Sequence, residues 1–237
     1  MNRRVVVTGM AGLCPLGQDW AAVRGRLREG RSGVVVVPAW NVYNGLDTRL
    51  AAPIADFCVP NHYARKKVRS MGRVALLATR ATELALEDAG LLDHPVLTDG
   101  TTGVAYGSTS GSPPAMETYA RHFLANTIKG IAATDYIQFM SHTCAANLAV
   151  FFGITGRLVP TCSACTSGSQ GIGYGYEAIK FGLQDWMLTG GAEEFDLMEG
   201  AVFDVLFAAS TRNAEATPNK RQISRSIASS AITFSVK

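Results

Sequence analysis

Several features that define whole classes of protein are absent from these 237 residues, or nearly so. No apolar run reaches the roughly 20 residues of a membrane-spanning helix. Only 17% of the residues are charged, and the formal net charge of +3 is spread along the chain, so nothing predicts nucleic-acid binding. The one basic cluster, residues 65–69, is short and suits a solvated helix start or a patch that contacts an acidic protein partner.

Cysteine is scarce and odd in number, with five residues and no secretory leader pattern before them. This pattern favours a reducing compartment, so a cytoplasmic protein is expected. A structural zinc site is disfavoured, because Cys162 and Cys165 form a Cys-x-x-Cys pair while Cys14, Cys58 and Cys144 stand alone. We therefore expect no metal.

A dinucleotide-binding loop is also missing. Gly9, Gly12 and Gly17 follow the first apolar segment, but their spacing does not make Gly-x-Gly-x-x-Gly. Tyr176 and Lys180 do stand in the Tyr-x-x-x-Lys spacing of short-chain reductases. A reductase is therefore kept only as a remote alternative, and no cofactor is expected.

The feature that is present is a thiol between a short apolar strand and a helix of small residues. The apolar residues 151–160 lead into Cys162 and Cys165, and residues 166–181 are predicted to be helical. A thiolate at a helix N-terminus is stabilised by unpaired N–H groups and by the helix dipole. The pattern predicts that Cys165 is a nucleophile. Three alternatives remain open for this pair: a zinc site, a thioredoxin-type redox pair, and two buried apolar thiols.

Four glycines lie within the helix that follows the cysteines: Gly168, Gly171, Gly173 and Gly175. Each weakens a helix by about 1 kcal/mol relative to Ala. We predict that they allow a neighbouring backbone to approach closely.

The remaining pattern alternates strands with helices and predicts an α/β fold with a mostly parallel sheet covered on both faces. The expected strands are residues 5–8, 102–106 and 186–189. The expected helices are residues 20–29, 72–88, 115–126, 145–152 and 166–181, with an extended loop at 31–65.

Several motifs in the right order resemble the β-ketoacyl-acyl-carrier-protein synthases, condensing enzymes of the thiolase superfamily, with an opening strand of the KAS II type. The motifs are residues 4–17, 84–91, 103–108, 162–168, 187–194 and 210–213. The resemblance implies the N-terminal half of a thiolase-like αβαβα layered fold with a mixed, mostly parallel sheet.

By the same resemblance Cys165 corresponds to the acyl-accepting cysteine of a decarboxylative Claisen condensation, and its backbone N–H to an oxyanion donor. Phe203 matches a phenylalanine at the active-site entrance, although an ordinary core aromatic is equally expected there. Ser110 falls near a position where a bulky residue often gates the acyl pocket. The implied partners are acyl carrier protein, acyl and malonyl thioesters, and a second subunit, in a homodimer or a heterodimer with a related chain. The dimer interface would lie next to residues 144–154.

The chain departs from the family near its end. The family's catalytic histidines and lysine lie in a second half, and none of His62, His94, His122 and His142 matches their motifs. Residues 1–221 are predicted to form the ketosynthase-like domain, and residues 222–237 a divergent tail, frameshifted or substituted. We expect this chain to be inactive alone. The alternative is a non-catalytic product or partner subunit.

Overall fold

The computed structural model describes residues 3–215, 227–228 and 230–237. The chain divides into two compact units. The first comprises Met1–Gly12, Cys58–Glu193 and Ala231–Lys237, and the second comprises Leu13–Phe57 and Glu194–Ser230.

The described residues form eight strands and eight α-helices. The strands are β1 (Val7–Leu13), β2 (Val35–Val36), β3 (Leu50–Ala52), β4 (Thr102–Gly107), β5 (Leu158–Thr161), β6 (Trp186–Glu193), β7 (Ile227–Ala228) and β8 (Ser230–Val236). The helices are α1 (Trp20–Arg28), α2 (Arg65–Val68), α3 (Arg73–Asp88), α4 (Pro113–Leu124), α5 (Ala133–Phe139), α6 (Thr143–Phe152), α7 (Ser167–Lys180) and α8 (Leu197–Val205).

The first unit is built on a five-stranded sheet in the order β1-β8-β6-β4-β5. Strand β4 runs parallel to both neighbours, so that Val104 lies opposite Leu158 on β5 and Leu188 on β6. Strand β8 runs antiparallel to β1, because the backbones of Val6 and Lys237 exchange two hydrogen bonds of 2.9 and 3.0 Å. The expected mixed, mostly parallel α/β sheet is confirmed.

Helices cover both faces of this sheet. Alternate residues of a strand point to opposite faces. Ala105 on β4 packs with Ala178 and Ile179 of α7. The next residue, Tyr106, is buried toward Cys144 of α6, and α6 in turn contacts α3. Helix α7 therefore lies on one face, and α6 with α3 on the other.

The long helices were predicted well because their apolar spacing is regular. Helix α3 buries Val74, Leu77, Ala78 and Ala81 on one side, and its C-cap is Ala89, just before Gly90 in a left-handed conformation. The expected first strand, residues 5–8, was too short, since β1 continues through its glycines to Leu13. The expected loop at 31–65 contains the short strands β2 and β3.

The second unit contains a three-stranded sheet in the order β2-β3-β7. Its apolar cluster is formed by Trp40, Leu46 and Ala51, and Trp40 stacks on Phe195 with ring centroids 5.3 Å apart.

The tail predicted to diverge, residues 222–237, lies partly outside the described residues. Its described part supplies β7 to one sheet and β8 to the other. The division of the chain at residue 221 stays a prediction. No helix among the described residues is long and apolar enough to cross a membrane.

Candidate functional site

Cys165 lies in a tight turn that joins β5 to α7. The N–H groups of Thr166 and Ser167 donate to the carbonyls of Ser163 and Ala164, at 3.2 and 3.0 Å. Ala164, directly before the thiol, has a φ of 49°, in the left-handed region that costs a non-glycine residue about 1 kcal/mol. The turn is therefore held in a conformation that its own sequence does not favour.

The hydroxyl of Ser167 closes this turn from inside. It accepts a hydrogen bond from the N–H of Ser163 at 2.9 Å and lies 2.7 Å from the Ala164 carbonyl, to which it donates. The carbonyl of Ser167 accepts from the Thr161 hydroxyl at 2.8 Å, which ties the first residue of α7 to the end of β5.

The predicted placement of Cys165 just before a helix is confirmed, since α7 begins two residues after Cys165 and Thr166 is its N-cap. Cys162 and Cys165 are both exposed, so the alternative of two buried apolar thiols is wrong for this pair. Among the described residues, no group of three or more His, Cys, Asp or Glu side chains lies close enough to hold a metal ion.

A second loop, which follows β4, packs against the cysteine turn. Gly107 ends β4, and a Cβ at this position would lie 2.5 Å from the backbone carbon of Ser167. The hydroxyl of Thr109 donates to the Ala164 carbonyl at 3.1 Å, and the thiol of Cys162 lies 3.6 Å from the Thr109 carbonyl oxygen. The two loops thus meet through backbone contact and direct hydrogen bonds.

Glu193, the last residue of β6, accepts hydrogen bonds from this second loop. One carboxylate oxygen accepts from the N–H of Thr109 at 2.7 Å, and the other lies 3.3 Å from the Ser108 hydroxyl and 3.4 Å from the N–H of Ser110. Burial raises the pKa of Glu193 above its usual value, although the N–H groups of Thr109 and Ser110 act in the opposite direction.

Thr109 and Glu193 were missed by the sequence analysis, although a signal existed. Thr109 follows β4, Glu193 is the last residue of β6, and the cysteine turn follows β5. The three strands are parallel neighbours, so their carboxyl ends share one edge of the sheet. Polar residues at three such ends predict a common site once the strand order is known.

Ser110 lies in the same loop as Thr109, is half-buried, and donates its N–H to Glu193. Phe203 belongs to α8 in the second unit, where it packs partly buried against the cluster of Trp40, Leu46 and Ala51. Phe203 therefore contributes to packing as a core aromatic, and its place at a substrate entrance stays a prediction.

The four histidines lie on different elements or loops of the fold, and three of them have a hydrogen-bond partner of their own. The ring of His62 lies 2.6 Å from the carboxylate of Glu83. His94 accepts from the N–H of Val96 at 3.2 Å, and His122 lies 2.8 Å from the carbonyl of Thr118. His142 is the N-cap residue of α6.

Glu83 is a buried carboxylate at the centre of a second polar group in the first unit. Besides His62, it bonds the hydroxyl of Tyr63 at 2.9 Å and the guanidinium of Arg80. Burial by itself raises the pKa of Glu83, but the hydrogen bonds from His62, Arg80 and Tyr63 outweigh it and leave the pKa below its usual value. The pKa of Tyr63 is raised by burial and then by Glu83.

The glycines of α7 divide into two kinds. A Cβ at Gly171 would lie 2.7 Å from the Ala105 carbonyl oxygen and 2.9 Å from that of Gly190, and one at Gly175 would meet the methyl of Thr189. The close approach predicted for the helix is therefore present at these positions. At Gly173, apart from the backbone of α7 itself, no atom of the described residues lies within 4 Å of an added Cβ, so the packing explanation is wrong there.

Tyr176 and Lys180, the pair that suggested a reductase, are neighbours on the surface of α7. Tyr176 is exposed, and the Lys180 ammonium donates to its hydroxyl at 3.0 Å. The pair is a local i,i+4 contact on a helix face.

The site is an exposed thiol in a strained turn between a parallel strand and the helix that follows it, in an α/β protein. The model of the β-ketoacyl synthase N-terminal domain matches residues 2–222. The chain belongs to the β-ketoacyl synthase family, and this membership replaces the reductase alternative.

Two relatives and one further structure show the extent of the similarity. The 3-oxoacyl-(acyl-carrier-protein) synthase 1 of Haemophilus influenzae is 32% identical over 92% of this chain and 53% of its own length. A β-ketoacyl synthase crystal structure from Burkholderia phymatum matches all of this chain and 59% of its own, with a TM-score of 0.93 and 42% identity. The structure of a type II polyketide acyl-carrier protein in complex with its ketosynthase, at 21% identity and a TM-score of 0.78, shows the shared fold.

These comparisons confirm the resemblance and the thiolase-like ketosynthase fold. The chain spans about half the length of the curated relatives it matches.

Proposed function

We propose that Cys165 is the acyl-accepting nucleophile of a β-ketoacyl-acyl-carrier-protein synthase. The observation that carries the proposal is the placement of this exposed thiol, in a strained turn two residues before α7. An exposed thiol at that position lies near the positive end of the helix dipole and is open to an acyl thioester.

The proposed reaction has two halves. In the first, the Cys165 thiolate attacks the carbonyl of an acyl thioester, the acyl group moves to its sulfur, and the carrier thiol leaves with a proton. In the second, a malonyl thioester loses carbon dioxide, and its carbanion attacks the acyl-enzyme to give a 3-oxoacyl thioester and the free Cys165 thiol. The proposed oxyanion donor in both halves is the backbone N–H of Cys165.

We assign acyl carrier protein as the partner that delivers both thioesters, as the name of the Haemophilus relative suggests. The exposed basic residues of α2 and its end, Arg65, Lys66, Lys67 and Arg69, form a patch suited to an acidic protein. Ser110 and Phe203 are proposed to contact the acyl substrate. The five free cysteines agree with a cytoplasmic location.

The decarboxylating half needs groups that stabilise the enolate. None of the four histidines described above matches the histidine motifs that supply such groups in the family. We therefore expect the 237-residue chain to accept an acyl group but to release little carbon dioxide from malonyl-carrier protein. A non-catalytic partner subunit is the second candidate, and the exposed Cys165 weighs against it, because a non-catalytic subunit does not need a nucleophile.

The test is to incubate the chain with an acyl-carrier-protein thioester and to map the acyl group by mass spectrometry. Acylation should be confined to Cys165 and should disappear in Cys165→Ala. The matched control is Cys58→Ala, which removes another exposed thiol and should leave acylation intact. Acylation that survives Cys165→Ala, or a chain that never becomes acylated, would contradict the nucleophile assignment. Carbon dioxide release at a rate comparable to acyl transfer would show that this chain holds its own decarboxylating groups.

A further inference from the structure

We infer that Thr109, anchored by Glu193, is a positioning residue for Cys165. This inference rests on the proposed function, since it assigns a role in orienting the same thiol. Neither residue needs to touch a substrate; each acts through the backbone of the cysteine turn.

Thr109 holds the turn at residues on both sides of Cys165. Its hydroxyl donates to the carbonyl of Ala164 at 3.1 Å and lies 3.4 Å from the hydroxyl of Ser167, while its own carbonyl faces the Cys162 thiol at 3.6 Å. The Ala164 carbonyl belongs to the peptide unit that carries the N–H of Cys165. The orientation of that carbonyl therefore fixes the direction of the proposed oxyanion donor.

Glu193 in turn holds Thr109. Its carboxylate accepts the N–H of Thr109 at 2.7 Å, and the Ser108 and Ser110 donors at 3.3 and 3.4 Å keep the neighbouring residues in place. Ser108 is buried and Gly107 is in backbone contact with α7, so the loop has little room to move away.

The strained backbone of Ala164 explains why the hydrogen bond from Thr109 matters. A left-handed alanine is less stable than an ordinary backbone conformation, and it persists only where surrounding groups hold it. The Ala164 carbonyl accepts from the Thr109 hydroxyl, the Ser167 hydroxyl and the Ser167 N–H. Of these donors only the Thr109 hydroxyl comes from outside the turn and α7. Removing it should let the turn relax and move the thiol away from the N-terminus of α7.

The experiment measures the rate at which iodoacetamide alkylates each cysteine of the 237-residue chain at neutral pH, mapped by mass spectrometry. Thr109→Val keeps the shape and removes the donor, whereas Thr109→Ser keeps the donor. Exposed Cys58 is the internal control, and buried Cys144 reports unfolding. We expect Thr109→Val to slow the alkylation of Cys165 by about three- to tenfold, as the loss of one hydrogen bond predicts. In Thr109→Ser the alkylation rate of Cys165 should stay within about twofold of that in the unsubstituted chain.

A double-mutant cycle separates positioning from general stability. Glu193→Gln puts an amide donor against the N–H groups of the loop that follows β4. It should slow the alkylation of Cys165 as Thr109→Val does. Because both residues act through one contact, the double variant should be no slower than Thr109→Val alone. The inference would be overturned if the effects of the two substitutions on the alkylation rate of Cys165 were fully additive. It would also be overturned if that rate were unchanged or higher in Thr109→Val.

Alkylation of Cys144 in Thr109→Val would overturn it as well, because it would place the effect in the core and not in the turn. Failure of the proposed function gives a different result. In that case the unsubstituted chain would not be acylated at Cys165, while the effect of Thr109→Val on alkylation could still be measured.

Discussion

Two substitutions on one helix, Gly171→Ala and Gly173→Ala, test the packing of α7 against the sheet. Both positions lie inside the helix, so both gain the helical preference of Ala over Gly, about 0.5–1 kcal/mol. Gly173 has open space around an added Cβ, so Gly173→Ala should raise the free energy of unfolding by about that amount.

Gly171 differs because two backbone oxygens limit the space beside it. An added Cβ would lie 2.7 and 2.9 Å from the carbonyl oxygens of Ala105 and Gly190, distances at which the helix or the strands must shift. Overpacking a tight interior costs about 1–3 kcal/mol, and two backbone contacts favour the upper end of that range. After the gain in helix preference, Gly171→Ala should lower the free energy of unfolding by about 2 kcal/mol.

The assay is equilibrium unfolding in urea, followed by circular dichroism, with both variants compared with the unsubstituted chain. The two variants should differ by about 3 kcal/mol in free energy of unfolding, with similar dependence on urea. In thermal unfolding the difference corresponds to about 6–12 °C for a chain of this size. If Gly171→Ala were stabilised as much as Gly173→Ala, the close packing of α7 on β4 and β6 would be refuted.

Two further predictions concern pH and assembly. Because the pKa of Glu83 is lowered by folding, its stabilising contribution is present above the usual glutamate pKa of about 4.3 and is lost as the pH falls through the folded value. Glu83→Gln should therefore flatten the dependence of urea midpoints on pH below about 5, and an unchanged acid slope would contradict this. We also expect a dimer, because the family resemblance implies a dimer interface beside the apolar residues 144–154. A monomer in equilibrium sedimentation at micromolar concentration would contradict this expectation.

Local patterns in the sequence determined the parts of the fold that depend on neighbouring residues. The apolar spacing of α3 and the glycine after it marked both ends of that helix to within one residue. The change from an apolar segment to small residues placed Cys165 directly before α7, because strand and helix preferences act over a few residues. The order of motifs along the chain carried the family assignment.

The sequence could not show which residues meet across long separations. Strand β8 comes from the part of the chain predicted to diverge, yet it lies between β1 and β6, because sheet pairing depends on backbone hydrogen bonds available to almost any sequence. Gly171 and Gly173 look alike in the sequence and differ only in what the sheet places beside them.

The candidate site shows the same division. Cys165 was predicted from its own neighbours, whereas Thr109 and Glu193 lie 56 and 28 residues away from it along the chain. They reach the cysteine turn only because β4, β5 and β6 are parallel neighbours whose carboxyl ends meet at one edge. The sequence thus determined the candidate nucleophile, and tertiary structure decided which polar groups contact its turn, because strand order is fixed by packing and not by local residue preference.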